Sequence, residues 1–251
     1  MRNEGTAGLA TLLALADSRL PIGGHVHSGG VEEAVSSGLL RDAASVELYL
    51  RRRLATTGLV TASLAAAVCA GTLTPARAEL ETDARTPSPA ARAASRAQGR
   101  GLLRLAKQLW PHPDAMRPAT ASAASHPASA VPAITTSDPG SDDARRHPDW
   151  TSVGPRPHLP TVFGMVGAAC GANAEELAGV VVYTTLTGAA TAAQRLLALD
   201  PAAIAASTLR LSPLCDRIAA AAAMGLSALS DPLQDALAER HLHRDMPLFA
   251  S

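Results

Sequence analysis

Between Pro111 and Pro157 the chain has no means of building a core. The stretch is dense in Pro, Ser, Ala and Asp and nearly empty of large apolar residues, so burial there cannot offset the entropy of ordering the backbone. It is expected to be a disordered insertion, and the fold has to come from the two flanks. Both flanks are rich in Leu, Val and Ala, and aromatic residues make up only 2% of the chain. Small side chains let helices approach closely, whereas sheets favour β-branched and aromatic residues. The expectation is an all-α fold: one domain over residues 1–251, a multi-helix bundle interrupted by a flexible insert at about 111–157.

Periodicity and capping signals place the helices. Leu9, Leu12, Leu13 and Ala16 fall on one face of a helix running to Leu20, where Pro21 stops it. A second helix runs from Gly30 to about Ser37. Asp42 or Ser45 caps a third, in which Val46, Leu50 and Leu54 recur every four residues. Arg51, Arg52 and Arg53 read as a solvated face. Leu59 to Ala70 and Ala90 to Trp110 are helical, and the latter carries Arg92, Arg96, Arg100 and Arg104 one turn apart. After the insert, a helix with Pro160 in its first turn runs to about Cys170. Asn173 and Glu176 have the spacing of a capping box for a helix reaching about Leu199. Asp200-Pro201 and Asp231-Pro232 each set a capping residue before a proline. Ser212-Pro213 is the same signal or a kink in one longer helix. The last helix ends near Arg240 and leaves a tail from His241 to Ser251.

Charge and motifs narrow the function. Lys+Arg and Asp+Glu are both 22, so nothing favours bulk binding to nucleic acid or to an anionic membrane. Cys69, Cys170 and Cys215 are far apart and read as inert thiols rather than a disulfide or zinc framework. The N-terminus shows no secretory signal, and the apolar run Leu177 to Gln194 is diluted by Thr and Gly, which points to a buried helix in a cytoplasmic protein. There is no phosphate-binding G-x-x-x-x-G-K-[ST] loop, no H-E-x-x-H and no G-x-S-x-G, and no acidic pair stands out as an acid/base couple. Catalytic residues are therefore not assigned. The one loop with chemistry in it is Leu20-Pro21-Ile22-Gly23-Gly24-His25-Val26-His27-Ser28. Its two histidines suit nickel and other first-row metals, or else pack or cap within the loop. His112, His126, His147 and His158 lie in or beside the insert, where a metal site is poorly preorganised.

These residues resemble a known family. Leu13-Ala14-Leu15-Ala16-Asp17-Ser18-Arg19-Leu20-Pro21-Ile22-Gly23-Gly24, followed by His27-Ser28 and Gly30-Val31-Glu32-Glu33-Ala34-Val35, is similar to the opening of UreF urease accessory proteins. Arg92-Ala93-Ala94-Ser95 with Gln98-Gly99-Arg100 resembles the family's central motif, and His158-Leu159-Pro160-Thr161-Val162-Phe163-Gly164 its H-x-P-x-[VL]-[FL]-G segment. Arg195-Leu196-Leu197 and the closing Leu248-Phe249-Ala250-Ser251 complete a set that covers most of the chain outside the insert. The chain departs from the family at His25, where an aromatic is common, and at Pro247, where Arg is usual. Its insert is also long.

The resemblance implies a dimeric all-α adaptor that joins UreD (also called UreH) and the GTPase UreG, and helps insert nickel into apo-urease while UreG hydrolyses GTP. It implies no enzymatic activity and no tightly bound cofactor, with nickel in transit. It carries partner contacts onto Pro21, Gly23, Gly24, Ser28, Glu32, Gln98, Arg100, Arg240, Leu248 and Phe249, beside the candidate metal pair His25 and His27. Two other readings stay open: a helical metal enzyme built on His25 and His27, and an unrelated helical interaction module.

Overall fold

Side-chain caps set most of the helix starts. The computed structural model describes residues 7–21, 29–111, 148–229 and 231–242, and every regular element among them is helical. Helix α1 spans Leu9–Leu15, α2 Val31–Ser36 and α3 Ala43–Arg53. At the start of α3 the Ser45 N–H donates to Asp42 Oδ1 at 2.8 Å and the Asp42 N–H donates to Ser45 Oγ at 3.1 Å, a reciprocal cap. The rod does not stop at Arg53. A wide π turn over Leu54–Gly58 carries it into α4, Leu59–Cys69. Thr74 and Ser88 cap α5 (Pro75–Arg85) and α6 (Pro89–Leu109), each just before a proline whose missing N–H costs nothing in a first turn. Helices α7 (Leu159–Ala169), α8 (Ala174–Leu197), α9 (Pro201–Met224) and α10 (Pro232–His241) follow. Asn173, Asp200 and Asp231 cap the last three, where the sequence placed them.

Helix α4 is the axis of the bundle. It is apolar all round, and Val60, Ala62, Leu64, Ala65, Ala66, Val68 and Cys69 are buried, so it has no face to give to water. Helices α5, α7, α8 and α9 enclose it. The fit depends on small residues: a Cβ on Gly164 of α7 would run into Val68 and the Ala65 carbonyl of α4. Close approach replaces aromatic bulk, and each fully buried Leu or Val still contributes about 1.5–3 kcal/mol.

Several expectations are corrected. The first helix ends at Leu15, not Leu20, and only half of its expected apolar face packs inward: Leu12 and Ala16 lie half-buried against the core, Leu9 and Leu13 are exposed, and Leu15 is in the core instead. Of the two readings of Ser212-Pro213, the longer helix holds: Pro213 lies inside one continuous helix. Helix α5 has a Thr-Pro start that the apolar periodicity did not flag, because its polar face dominates. Residues 148–157 are not part of a loose insert: Trp150 is 3% exposed and Val153 5%, and the Trp150 indole N–H donates to the Trp110 carbonyl at 2.9 Å. Two anchors suffice to fasten a segment whose average composition is polar. The rest of the expected insert, 112–147, lies outside the described residues, as do residues 22–28 and 243–251.

Candidate functional site

The first turn of α2 and the last turn of α10 meet, and α3 closes the junction from the side. Two glycines make this possible. Gly29 and Gly30 have φ of 58° and 87°, in the left-handed region where a side chain is strained. A Cβ on Gly29 would overlap the Arg53 guanidinium, and one on Gly30 would stand 3.2 Å from the Leu237 Cβ. With both absent, α2 starts directly against α3 and α10.

Polar side chains then lock the three helices. Arg52 donates to Asp231 through Nε (3.1 Å) and NH2 (2.7 Å), and the Thr56 hydroxyl adds a third donor at 3.0 Å. Burial pushes the Asp231 carboxyl up, but the bonds from Arg52 and Thr56 outweigh it and hold it below the usual carboxylate range. Arg53 NH1 donates to the Gly29 carbonyl at 2.5 Å and to Gln234 Oε1 at 2.6 Å, and the Tyr49 hydroxyl reaches the same Oε1 at 3.2 Å. Burial pushes the Tyr49 phenol upward. Arg240 pairs with Glu33 at 2.9 Å, and His241 Nε2 stands 3.7 Å from Glu32.

A second polar knot joins α5, α6 and the start of α7. His158 is fully buried at the N-terminus of α7. Its backbone N–H donates to Glu79 Oε1 at 2.9 Å, and the Thr161 hydroxyl donates to the same oxygen at 2.6 Å. Its ring lies 2.9 Å from Asp83 Oδ1 through Nε2 and 3.0 Å from Ser95 Oγ through Nδ1. Since an ionised carboxylate only accepts, Nε2 carries the proton, and the Ser95 hydroxyl donates to Nδ1 while accepting the Leu159 N–H. Burial is the largest influence on the imidazole and holds its pKa below the ordinary histidine value, against the pull of Asp83 and Glu79. Arg96 completes the knot with bonds to Glu79 (3.0 Å) and Asp83 (2.8 Å). Beside it, Gly99 lets the 157–159 backbone lie on α6, since a Cβ there would overlap the Pro157 carbonyl.

The expected contact residues scatter over these two regions. Glu32 is buried at the α2–α10 junction, and Arg240 stands at its exposed edge. Gln98 lines the cavity between the two knots, and Arg100 is exposed on α6. Pro21 is exposed at the end of a described segment. Gly23, Gly24, His25, His27, Ser28, Leu248 and Phe249 lie outside the described residues. Of Arg51, Arg52 and Arg53, read as a solvated face, Arg51 and Arg52 are exposed but Arg53 turns inward; in the row on α6, Arg100 and Arg104 are exposed while Arg92 and Arg96 turn inward. Tyr49, Arg53, Asp231 and Gln234 were not singled out as site residues. Their pairing spans nearly the whole chain, and the only local trace was the Asp231-Pro232 cap. Among the described residues, no group of three or more His, Cys, Asp or Glu is placed to hold a metal, and no helix is long and apolar enough to cross a membrane. The thiols are quiet: burial raises Cys170, and takes Cys215 to about 11.

Comparison with known proteins agrees with the motif reading. The family model described as UreF matches residues 40–212. The chain is 57% identical over 243 residues to the urease accessory protein UreF of Mycobacterium sp. (strain JLS), covering 97% of this chain and 99% of the relative. It is 55% identical over 248 residues to the protein of that name from Mycolicibacterium vanbaalenii, covering 98% and 100%. Against the one from Mycobacterium tuberculosis (strain CDC 1551 / Oshkosh) the figures are 51% over 243 residues, covering 97% and 99%.

Proposed function

Because the chain belongs to the UreF family of urease accessory proteins, we propose that it is the non-enzymatic adaptor that joins UreD and the GTPase UreG while nickel is inserted into apo-urease. In this reading it works as a dimer in the cytoplasm, hydrolyses nothing itself, and handles nickel only as cargo in transit. His25 and His27 are the candidate contacts for that cargo. The observation that supports the reading most is the α2–α10 junction. Gly29 follows directly on residues 22–28, Leu242 leads directly into residues 243–251, and the elements carrying them are clamped together through Arg240–Glu33 and Arg53–Gln234. The two segments expected to meet partners therefore spring from one rigid base, which suits a surface that must present both at once. Arg100, exposed on α6, offers a second candidate contact.

The test is reconstitution. UreD, UreG, apo-urease, GTP and nickel are combined with and without this chain, and urease activity and bound nickel are measured. Activation that depends on the chain, with UreD and UreG co-eluting on it, is the expected result. Equal activation in its absence would sink the adaptor role.

A further inference from the structure

Most arginines on the described surface face a carboxylate. Arg51 and Arg52 of α3 face Glu47 and Asp231. Arg77 and Arg85 of α5 share Glu81, and Arg92 and Arg96 of α6 face Asp83. The second half of α6 breaks this pattern. Arg100, Arg104 and Lys107 are exposed, and none has a carboxylate partner among the described residues. Their spacing of four and then three residues puts them on one face, over about 10 Å of helix.

A fourth cation comes from outside the helix. Arg96 NH1 donates to the Arg156 carbonyl at 2.7 Å, and the Pro157 carbonyl rests on α6 where Gly99 has no Cβ. Arg156 is thereby held beside the turn that carries Arg100. It is exposed and has no carboxylate partner among the described residues either. The other exposed arginines without one stand apart from each other: Arg41 before α3, Arg195 in the last turn of α8 and Arg217 in α9. Helix geometry accounts for Lys107, which lies in the last turn of α6, where a cation complements the carbonyl end of the dipole. It does not account for Arg100 and Arg104, because that effect fades beyond one turn. Like charges one turn apart repel, so the row is unfavourable in the free chain.

Cations gathered without counter-charge on their own surface suit an external anionic partner. Three of the four are arginines, whose planar fork takes a carboxylate or a phosphate through two parallel bonds. Helix α6 carries no aromatic side chain to stack on a base, and four phosphate contacts alone give only sequence-independent, salt-sensitive binding to nucleic acid. Leu109 is the one large apolar side chain that α6 exposes, too little for insertion into a membrane interface. Carboxylates on a protein are the anions left. We infer that this face of α6, together with Arg156, docks an acidic segment of a protein partner that presents carboxylates one helical turn apart. That the occupant is a protein of the urease-maturation set rests on the adaptor reading, whereas its charge rests on the face itself.

The full-length chain, isotopically labelled on nitrogen, is titrated by NMR with an alanine-based helical peptide that carries Glu at successive spacings of four and three residues. The same peptide with Gln in place of Glu, and a thymidine oligonucleotide of equal charge, are titrated in parallel at matched ionic strength. Saturable amide shifts concentrated in residues 97–108 and 155–157 are expected with the Glu peptide and not with the Gln peptide. Arg100→Gln with Arg104→Gln weakens that binding about tenfold, with helix content and melting temperature preserved. Absent or scattered shifts, unchanged binding by the double variant, or tighter binding of the oligonucleotide overturn the docking face. Failure of UreD and UreG to associate with a chain that still shows these shifts would count against the adaptor reading alone.

Discussion

Asp83 on α5 and His158 at the head of α7 share one proton-bearing contact, Nε2 to Oδ1 at 2.9 Å, in a setting where the imidazole is wholly buried and the carboxylate half-exposed. The buried partner governs the response to acid. Burial keeps folded His158 neutral, so the unfolded chain takes up a proton there first. The stability it contributes is complete above the ordinary histidine pKa of about 6.5 and declines as pH falls below it. Asp83 acts lower. Burial pushes its carboxyl up, but the bond from His158 and the charges of Arg96 and Arg92 bring it below the usual range, so its share is lost only as pH falls through that depressed value. The expected outcome is a melting temperature that drops between about pH 7.5 and 5.5. His158→Gln retains a donor for Asp83 and cannot titrate, and flattens that drop. Calorimetry at four or five pH values settles it, and parallel profiles for the two proteins would remove His158 from the account.

Gly99→Ala tests the contact between α6 and the segment leading into α7. The added methyl meets backbone, the Pro157 carbonyl and the His158 carbonyl carbon, which have no flexible side chain to move aside. The expected loss is about 1–3 kcal/mol, the usual cost of overpacking a close contact. Urea unfolding reads it directly. A midpoint unchanged from wild type would show that residues 157–159 do not lie on α6 as described.

Asp231→Ala removes an N-cap of α10 together with the acceptor for Arg52 and Thr56. Loss of the cap alone costs about 1 kcal/mol. The Arg52 side chain remains half-exposed and can return to water, which limits the additional penalty. The total is expected at about 1–2 kcal/mol, with helix content by circular dichroism preserved. Stability indistinguishable from wild type would mean that the clamp between α3 and α10 contributes nothing.

Helix starts were legible because their causes are local. Asp42 with Ser45, Asn173 with Glu176, and the Asp-Pro pairs at 200 and 231 each act within one turn, so spacing alone reveals them. The inward turn of Arg53 and Arg96 was not legible. Both sit in arginine rows whose pattern is that of a solvated face, and what draws them inward is Gln234 in one case and Glu79 with Asp83 in the other, all supplied by different helices. Trp150 was missed for a related reason: its anchor is the distant Trp110 carbonyl, and a composition average over its neighbours hides a single buried indole. The family motif named Gln98, Gly99 and Arg100 without giving a reason for the glycine. The close passage of Pro157 supplies it.

Trp150 also sets the limit of a deletion. The sequence between about Ala115 and Arg145 is polar and proline-rich, and its removal is expected to leave the melting temperature within a few degrees of wild type. Extending the deletion to Gly154 takes away Trp150 and Val153, which are 3% and 5% exposed, and is expected to cost about 3–5 kcal/mol for the tryptophan alone. Equal stability of the two deletions would refute the anchoring role of 148–157, and a collapse of the shorter one would show that 115–145 is structural.

The C-terminal segment bears on partner binding, and α10 fixes where to cut it. His241 is 2% exposed and ends the helix, with Glu32 of α2 beside it, so truncation after Arg240 would remove a core residue along with the tail. Truncation after Leu242 spares the junction and isolates the question. Leu248 and Phe249 are the apolar anchors of the removed segment, and a peptide that orders on a partner must recover its entropy by burying such groups. Each contributes about 1.5–3 kcal/mol when fully buried, so losing both weakens association roughly tenfold to several hundredfold or more. The truncated chain is expected to keep its helix content and melting temperature, to lose UreD in pull-down at matched concentrations, and to leave urease inactive. Leu248→Ala with Phe249→Ala in the full-length chain should reproduce the loss, which separates the anchors from tail length. Equal retention of UreD by the full-length, truncated and doubly substituted chains would take the tail out of the interface and leave residues 21–28 and Arg100 of α6 among the remaining candidate contacts.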